Sequence, residues 1–348
     1  MNWTRRSAVA ALGAVMALPG GAGATTIKLA DSYRRAPRLR PGDTIGLIEP
    51  ATASDETFQL TLVEEAVVAM GLKPKRGASV LGRHGYLAGT DEQRAADVNA
   101  MFADPDVRAI LAVRGGWGSA RVLPYLDWDL IRRNPKLVIG FSDITALHMA
   151  IAAQARFVTI HGPNGGSAWG KGSLDHFKAI TFDSATPTLT NPAAEEDRLV
   201  QRRWRTQPIR QGKARGRLLG GNLTVLTALA GTPWLPDFKG AILFLEDVDE
   251  AEYRVDRMLT LLGQAGVLGG LAGAVFGQCT NCVGSSSGNY GGFTLTDVLG
   301  HHLGRLGIPA YQGAWFGHIA DQFSLPVGVM AEIDADAGTI RMLEAAVA

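Results

Sequence analysis

Three stretches carry side chains suited to acyl chemistry. In GFSDIT, Gly140 to Thr145, a hydroxyl stands between the apolar run LVIG and a helical pattern. Ser142 there is open to two readings. It can cap the helix behind it by accepting from first-turn N–H groups. It can also be a nucleophile exposed on a sharp strand-to-helix turn, with backbone N–H groups nearby to hold an oxyanion. The spacing is not G-x-S-x-G, because Ile144 stands where the second glycine would be. In LFLEDVDEAEYRVDRML, Glu246 follows four apolar residues directly, as an acid at a strand's end does. Asp247, Asp249, Glu250 and Glu252 crowd after it, a cluster that reads either as a solvated turn or as ligands for a hard cation. In GAWFGHIADQFSLPVG, His318 follows an aromatic strand and precedes a loop. Physics alone does not select it over His84, His148 or His161.

A fourth stretch, RGGWGSAR from Arg114 to Arg121, places two adjacent glycines after a strand. Their uncovered N–H groups suit a phosphate or an oxyanion, or simply a tight turn. The motif is neither a Walker A loop nor G-x-G-x-x-G. Cys279 and Cys282 form a C-x-x-C pair, read first as two structural thiols that bridge in an oxidising compartment. Zinc would need two further ligands, and none stands at suitable spacing.

The elements that must position these groups alternate. TIGLIEP, RAILAVRGG and KLVIGFSD read as strands. ETFQLTLVEEAVVAMGL, DEQRAADVNAMFADPDV and ITALHMAIAAQ read as helices, the second opened by Thr90. In the third, Ile144, Leu147, His148 and Ile151 share one face. Such alternation predicts an α/β fold with a doubly wound parallel sheet, whose ligands bind at the carboxyl ends of strands, where RGGWG and GFSD fall. From about residue 182 to 212 the chain turns polar and irregular. Beyond it AILFLED and GAVFGQ read as strands and YRVDRMLTLLGQAG as a helix, followed by a glycine- and serine-rich loop and a final hairpin turning at Asp336-Ala337-Gly338.

The 348 residues carry a formal net charge of +1 without long runs of one sign, which argues against nucleic acid as a partner. The first 24 residues have a basic start (Arg5, Arg6), an apolar run from Ala8 to Leu18 and small residues ending Ala22-Gly23-Ala24. That is the layout of a secretory signal peptide with twin-arginine features, too short to anchor the chain in a bilayer. The expectation is export to the periplasm, with no stable membrane insertion after cleavage.

Taken together, PGDTIGLIEPA, RHGYLAGTDEQRAADVNAMFADPDVRAILAVRGGWGSARVLPYLDWDLI, NPKLVIGFSDITALH, HGP, LLGGNLTVL, AILFLEDV with YRVDRML, and GHIADQFSLPVG resemble, in order, the serine LD-carboxypeptidases, a family that includes microcin-immunity peptidases. The resemblance runs from about residue 38 to the C-terminus. It implies Ser142 as nucleophile, Glu246 as triad carboxylate and His318 as base, with the N–H groups of Gly116 and Asp143 as oxyanion hole. It calls for no metal and no cofactor. Arg114 and Asn222 are candidate substrate-binding residues. The implied organisation is a signal peptide (1–24), an N-terminal doubly wound domain (38–185), a linker (186–212) and a C-terminal mixed β-rich swivelling domain (213–348), often as a homodimer. The implied reaction is hydrolysis of the L,D bond between a diamino acid and the terminal D-alanine of a peptidoglycan tetrapeptide. Two departures stand out: Cys279 replaces an apolar residue, and the leader is unexpected in a family with cytoplasmic members. The rival readings are the same machinery acting on another acyl or peptide–nucleotide substrate, with Trp117, Trp169 or Trp315 as base platform, or a cell-wall peptide-binding protein without catalysis.

Overall fold

In the computed structural model, residues 32–193, 199–201, 203–282 and 292–348 are described. The expected leader and most of the glycine- and serine-rich loop lie outside them. Residues 32–348 form one unit. Its strands with four- to eight-residue apolar runs become the buried centres of two sheets, because both faces of each sheet are covered.

The first sheet contains β1 (Thr44–Ile48), β2 (Lys73–Arg76), β3 (Val107–Ala112), β4 (Leu137–Gly140) and β5 (Thr159–His161), all parallel in the order 2-1-3-4-5. The strand order reverses direction at β1 and β3, so the loops leaving these strands diverge and open a crevice at their carboxyl ends. Helices α1 (Thr57–Ala69), α2 (Asp91–Ala103), α3 (Ser119–Val122), α4 (Trp128–Arg133), α5 (Thr145–Gln154) and α6 (Lys171–Thr181) connect and cover them. Thr90 opens α2 as expected, and Gln93 closes a reciprocal capping box with it.

The second sheet has eight strands. β6 (Thr188–Thr190) and β7 (Gln207–Arg210) lie at its two edges, and a parallel centre is formed by β8 (Lys213–Asn222), β9 (Ile242–Val248), β10 (Gly273–Thr280) and β11 (Ala310–Gln312). Helices α7 (Leu223–Ala228), α8 (Glu252–Gln264) and α9 (Leu295–His302) link them. The segment expected as linker, 186–212, therefore supplies both edge strands. The chain then does something the linear domain division does not contain: β12 (Leu325–Val327) crosses back and pairs antiparallel with β5 of the first sheet. β13 (Met330–Asp334) and β14 (Thr339–Met342) return to the second sheet as the expected hairpin. The segment 313–324 thus bridges the two sheets, and it carries His318.

Candidate active site

Four strand ends converge on the site. β4 delivers Ser142, β3 delivers Arg114 to Gly118, β9 delivers Glu246, and β10 supports the bridging segment. Ser142 is not a cap. Its backbone sits at φ +64°, in the left-handed region, within a short 3₁₀ turn (Ser142–Ile144) that precedes α5. A non-glycine residue pays about 1–2 kcal/mol for that conformation, which rotates the hydroxyl out of the helix and toward the second sheet. Ser142 Oγ lies 2.9 Å from His318 Nε2. His318 Nδ1 lies 2.7 Å from Glu246 Oε2. An ionised carboxylate only accepts, so Nδ1 carries the proton and Nε2 is left to accept from the serine hydroxyl.

The carboxylate is fully buried, whereas the imidazole keeps 20% of its side chain exposed. Burial alone would lower the imidazole pKa. The hydrogen bond and charge of Glu246, with Asp247 and Asp249 behind it, outweigh burial and hold it above its ordinary 6.5. Gly317 makes the close approach feasible: at φ +121°, a Cβ there would lie 3.1 Å from Glu246 Cβ and 3.2 Å from its Oε2. Thr280 Oγ1 donates to the His318 carbonyl at 2.8 Å, and the Phe141 ring packs on the imidazole with centroids 4.9 Å apart. Farther along the segment, Asp321 receives N–H groups from the start of α6, pinning it to the first-sheet layer. Sequence reasoning missed Thr280 and Asp321; a hydroxyl at a strand end was the one available signal for the former.

The glycine loop lies against the nucleophile. A Cβ on Gly115 would come within 3.0 Å of Ser142 Cβ, 3.3 Å of its Oγ and 3.4 Å of the Asp143 nitrogen. Gly116 has φ +107°, and a Cβ there would strike Thr52 Oγ1 at 2.3 Å. Its N–H has no acceptor among the described residues. The Asp143 N–H belongs to the first turn, where helix geometry offers no carbonyl. The Asp143 side chain is fully buried, its pKa raised by burial, and it accepts from Ser119 N–H at 2.7 Å.

The remaining expected residues divide. Arg114, half-buried after β3, donates to the Ala53 carbonyl at 3.0 Å and has no acidic partner among the described residues. Asn222 stands beside the site, in register with Glu246, and its side chain also serves the fold: Oδ1 caps α7 at Val225 N–H, and Nδ2 donates to Asp247. These two bonds use one Nδ2 hydrogen and one Oδ1 lone pair, so a second N–H and a second lone pair remain for the expected substrate contact. Asp247 also takes the Thr224 N–H and hydroxyl, while burial pushes its pKa up to about 6. This acid brackets β9 and α7, and the described residues contain no cluster of three or more groups able to hold a metal ion. His148 donates from Nε2 to the Gly140 carbonyl and stays neutral, burial lowering its pKa to about 4. Trp315 is buried and Trp169 half-buried, leaving Trp117 as the open member of the three tryptophans. Cys279 and Cys282 are joined in a disulfide.

Residues 45–162 match the model of the LD-carboxypeptidase N-terminal domain, and residues 215–333 match that of the C-terminal domain. The chain belongs to the LD-carboxypeptidase family. It is 37% identical over 307 residues to a probable murein peptide carboxypeptidase of Bacillus subtilis, covering 85% of this chain and 90% of that one. Its fold matches the muramoyltetrapeptide carboxypeptidase of Oxalobacter formigenes with a TM-score of 0.73 at 30% identity, over 86% of this chain and 97% of that one. It also matches the microcin C7 self-immunity protein MccF, known from Escherichia coli, solved in complex with aspartyl sulfamoyl adenosine. There the TM-score is 0.79 at 27% identity, over 90% of this chain and all of the other. The chain has the family's two-domain α/β fold.

Proposed function

We propose that this LD-carboxypeptidase is a metal-independent serine hydrolase that removes the terminal D-alanine from peptidoglycan tetrapeptides. The observation that carries the reading is the hydrogen-bonded chain Ser142–His318–Glu246. Ser142 Oγ attacks the carbonyl of the diamino acid as His318 Nε2 takes the hydroxyl proton. The negative oxygen that forms is held by the N–H groups of Gly116 and Asp143. His318 returns the proton to the departing amine of D-alanine, leaving an acyl-enzyme. Water, deprotonated by His318, then attacks that ester and releases the tripeptide and Ser142. Glu246 keeps Nδ1 protonated and stabilises the imidazolium at each stage. Arg114, with N–H groups to spare, is suited to the substrate's terminal carboxylate. The reading includes export: the leader-like layout of the first 24 residues supports action on intact or newly shed wall peptide.

A second reading, an acyl or peptide–nucleotide substrate, is favoured by Trp117, 46% exposed next to Gly116 and able to stack on a base. The test is kcat/KM for a purified muropeptide tetrapeptide against that for an aminoacyl sulfamoyl nucleoside. The wall reading requires the tetrapeptide to be preferred by at least about tenfold, a difference of about 1.4 kcal/mol in transition-state binding. The reverse preference overturns it.

A further inference from the structure

Arg94 lies on α2, away from the reacting groups, and is fully buried. An arginine is seldom buried without a dedicated set of acceptors. Its acceptors come from three separate loops. Nε donates to the Gly89 carbonyl at 3.2 Å, and Nη1 donates to the Pro50 carbonyl and, at 3.0 Å, to the Gly118 carbonyl. Nη2 pairs with Asp91, which is shared with Arg121 on the surface. The Gly118 contact matters most, because the same peptide group is held at its other end. The Ser119 N–H donates to Asp143 Oδ2 at 2.7 Å. A cation on the carbonyl and a carboxylate on the N–H polarise one peptide dipole in the same sense, so each bond strengthens the other.

We propose that Arg94 and the Asp143 carboxylate are positioning residues that clamp the Gly118–Ser119 peptide and thereby set the Gly116 N–H against Ser142. The inference rests on the oxyanion role given above to Gly116 and Asp143. Asp143 then serves both halves of the hole: its own N–H is one donor, and its carboxylate holds the loop that carries the other. Thr52 Oγ1, accepting from Trp117 N–H at 3.0 Å, supports the same loop from the β1 side. The loop is glycine-rich, and without the clamp its peptides are free to turn away from the developing charge. Substrate binding does not need the clamp; transition-state stabilisation does.

The test compares R94K, D143N and D143L with wild type in two assays: steady-state cleavage of the tetrapeptide, and the rate at which a fluorophosphonate modifies Ser142. The fluorophosphonate reaction places a negative oxygen in the same hole without needing the peptide. Circular dichroism and thermal melting report folding. R94K, which cannot fork between carbonyls, and D143L, which keeps the size but not the acceptor, are expected to lose at least about 100-fold in kcat and in phosphonylation rate. KM should stay within about threefold. D143N keeps an oxygen for the Ser119 N–H and should remain within about tenfold of wild type. Folded R94K or D143L reacting at the wild-type rate overturns the proposal. If neither folds, D143N still decides: activity within about tenfold of wild type supports the Ser119 contact, and a folded D143N that has lost 100-fold overturns it. A wild-type protein that is phosphonylated at Ser142 but leaves the tetrapeptide intact sinks only the substrate reading. A wild type that is not phosphonylated sinks the serine mechanism and the clamp together.

Discussion

Ser142 and His318 are 176 residues apart in sequence and 2.9 Å apart in space. One closes a strand of the first sheet; the other rides the segment that returns from the second sheet to add β12 to the first. The hydrogen bond is therefore only as good as the docking of two sheets, secured close by through the bond from Asn222 N–H to Thr145 Oγ1 at 2.9 Å.

Removing the nucleophile should separate chemistry from binding. Ser142→Ala is expected to lower kcat by on the order of 10⁴-fold or more while the tetrapeptide Kd changes little. It should also leave the fold intact, and relief of the left-handed serine is not expected, since alanine meets the same Cβ penalty. Steady-state kinetics and calorimetric titration check both halves.

The pH dependence follows from His318. Its pKa is held above 6.5 in the folded protein, so kcat/KM should rise with pH through a midpoint above 6.5 as the imidazole loses its proton. Glu246→Gln removes the charge that raises it and leaves the burial that lowers it. The residual activity, reduced by up to about 10⁴-fold, should then titrate at lower pH. By linkage, the native His318–Glu246 pair contributes stability that is fully present below 6.5 and fades as pH rises through the folded-state value. A pH–rate profile of the two proteins reads the shift; an unchanged midpoint contradicts the assignment of Glu246 as its cause.

Gly116→Ala should cost both stability and rate. Its Cβ would meet Thr52 Oγ1 at 2.3 Å from a backbone at φ +107°, so the loop must move away from Ser142. A loss of about 1–3 kcal/mol in unfolding free energy and of about 100-fold in kcat is expected, measured by urea unfolding and by tetrapeptide turnover.

The disulfide and Thr280 are neighbours with different tasks. Cys279–Cys282 closes a ring of a few residues, worth about 2 kcal/mol by loop-closure entropy, so the paired Cys279→Ser and Cys282→Ser variant should melt lower by roughly 3 °C. Thr280→Val removes the donor to the His318 carbonyl and should lower kcat about tenfold, the equivalent of one hydrogen bond. Melting curves and kinetics on both variants distinguish the tasks; a slower Cys variant with unchanged melting would reverse them.

Much of the first sheet was legible in the sequence because its signals are local: apolar runs, the Thr90 cap and glycine stops each act over a few residues. The second sheet was less so. β6 and β7 look like linker because short edge strands are polar and need distant partners, and nothing local says that β12 will leave one sheet for the other. Ser142 stayed open between cap and nucleophile because the sign of its φ depends on packing with the loop after β3. His318 could not be singled out by physics from other histidines, since its partner and its proton acceptor come from β9 and β4; only the family pattern pointed to it. The bracket that Asn222 forms with Asp247 and α7 was not legible, because it is a tertiary contact. Arg94 reads locally as one half of a surface i,i+3 pair with Asp91, and its burial appears only when three loops close over it.

The most direct test of the central claim is mass spectrometry of a purified muropeptide tetrapeptide incubated with the wild-type protein and with Ser142→Ala, both in EDTA. Loss of one alanine with wild type alone is the result expected of a metal-independent serine LD-carboxypeptidase. An intact tetrapeptide with folded wild type, or equal cleavage by the alanine variant, would contradict it.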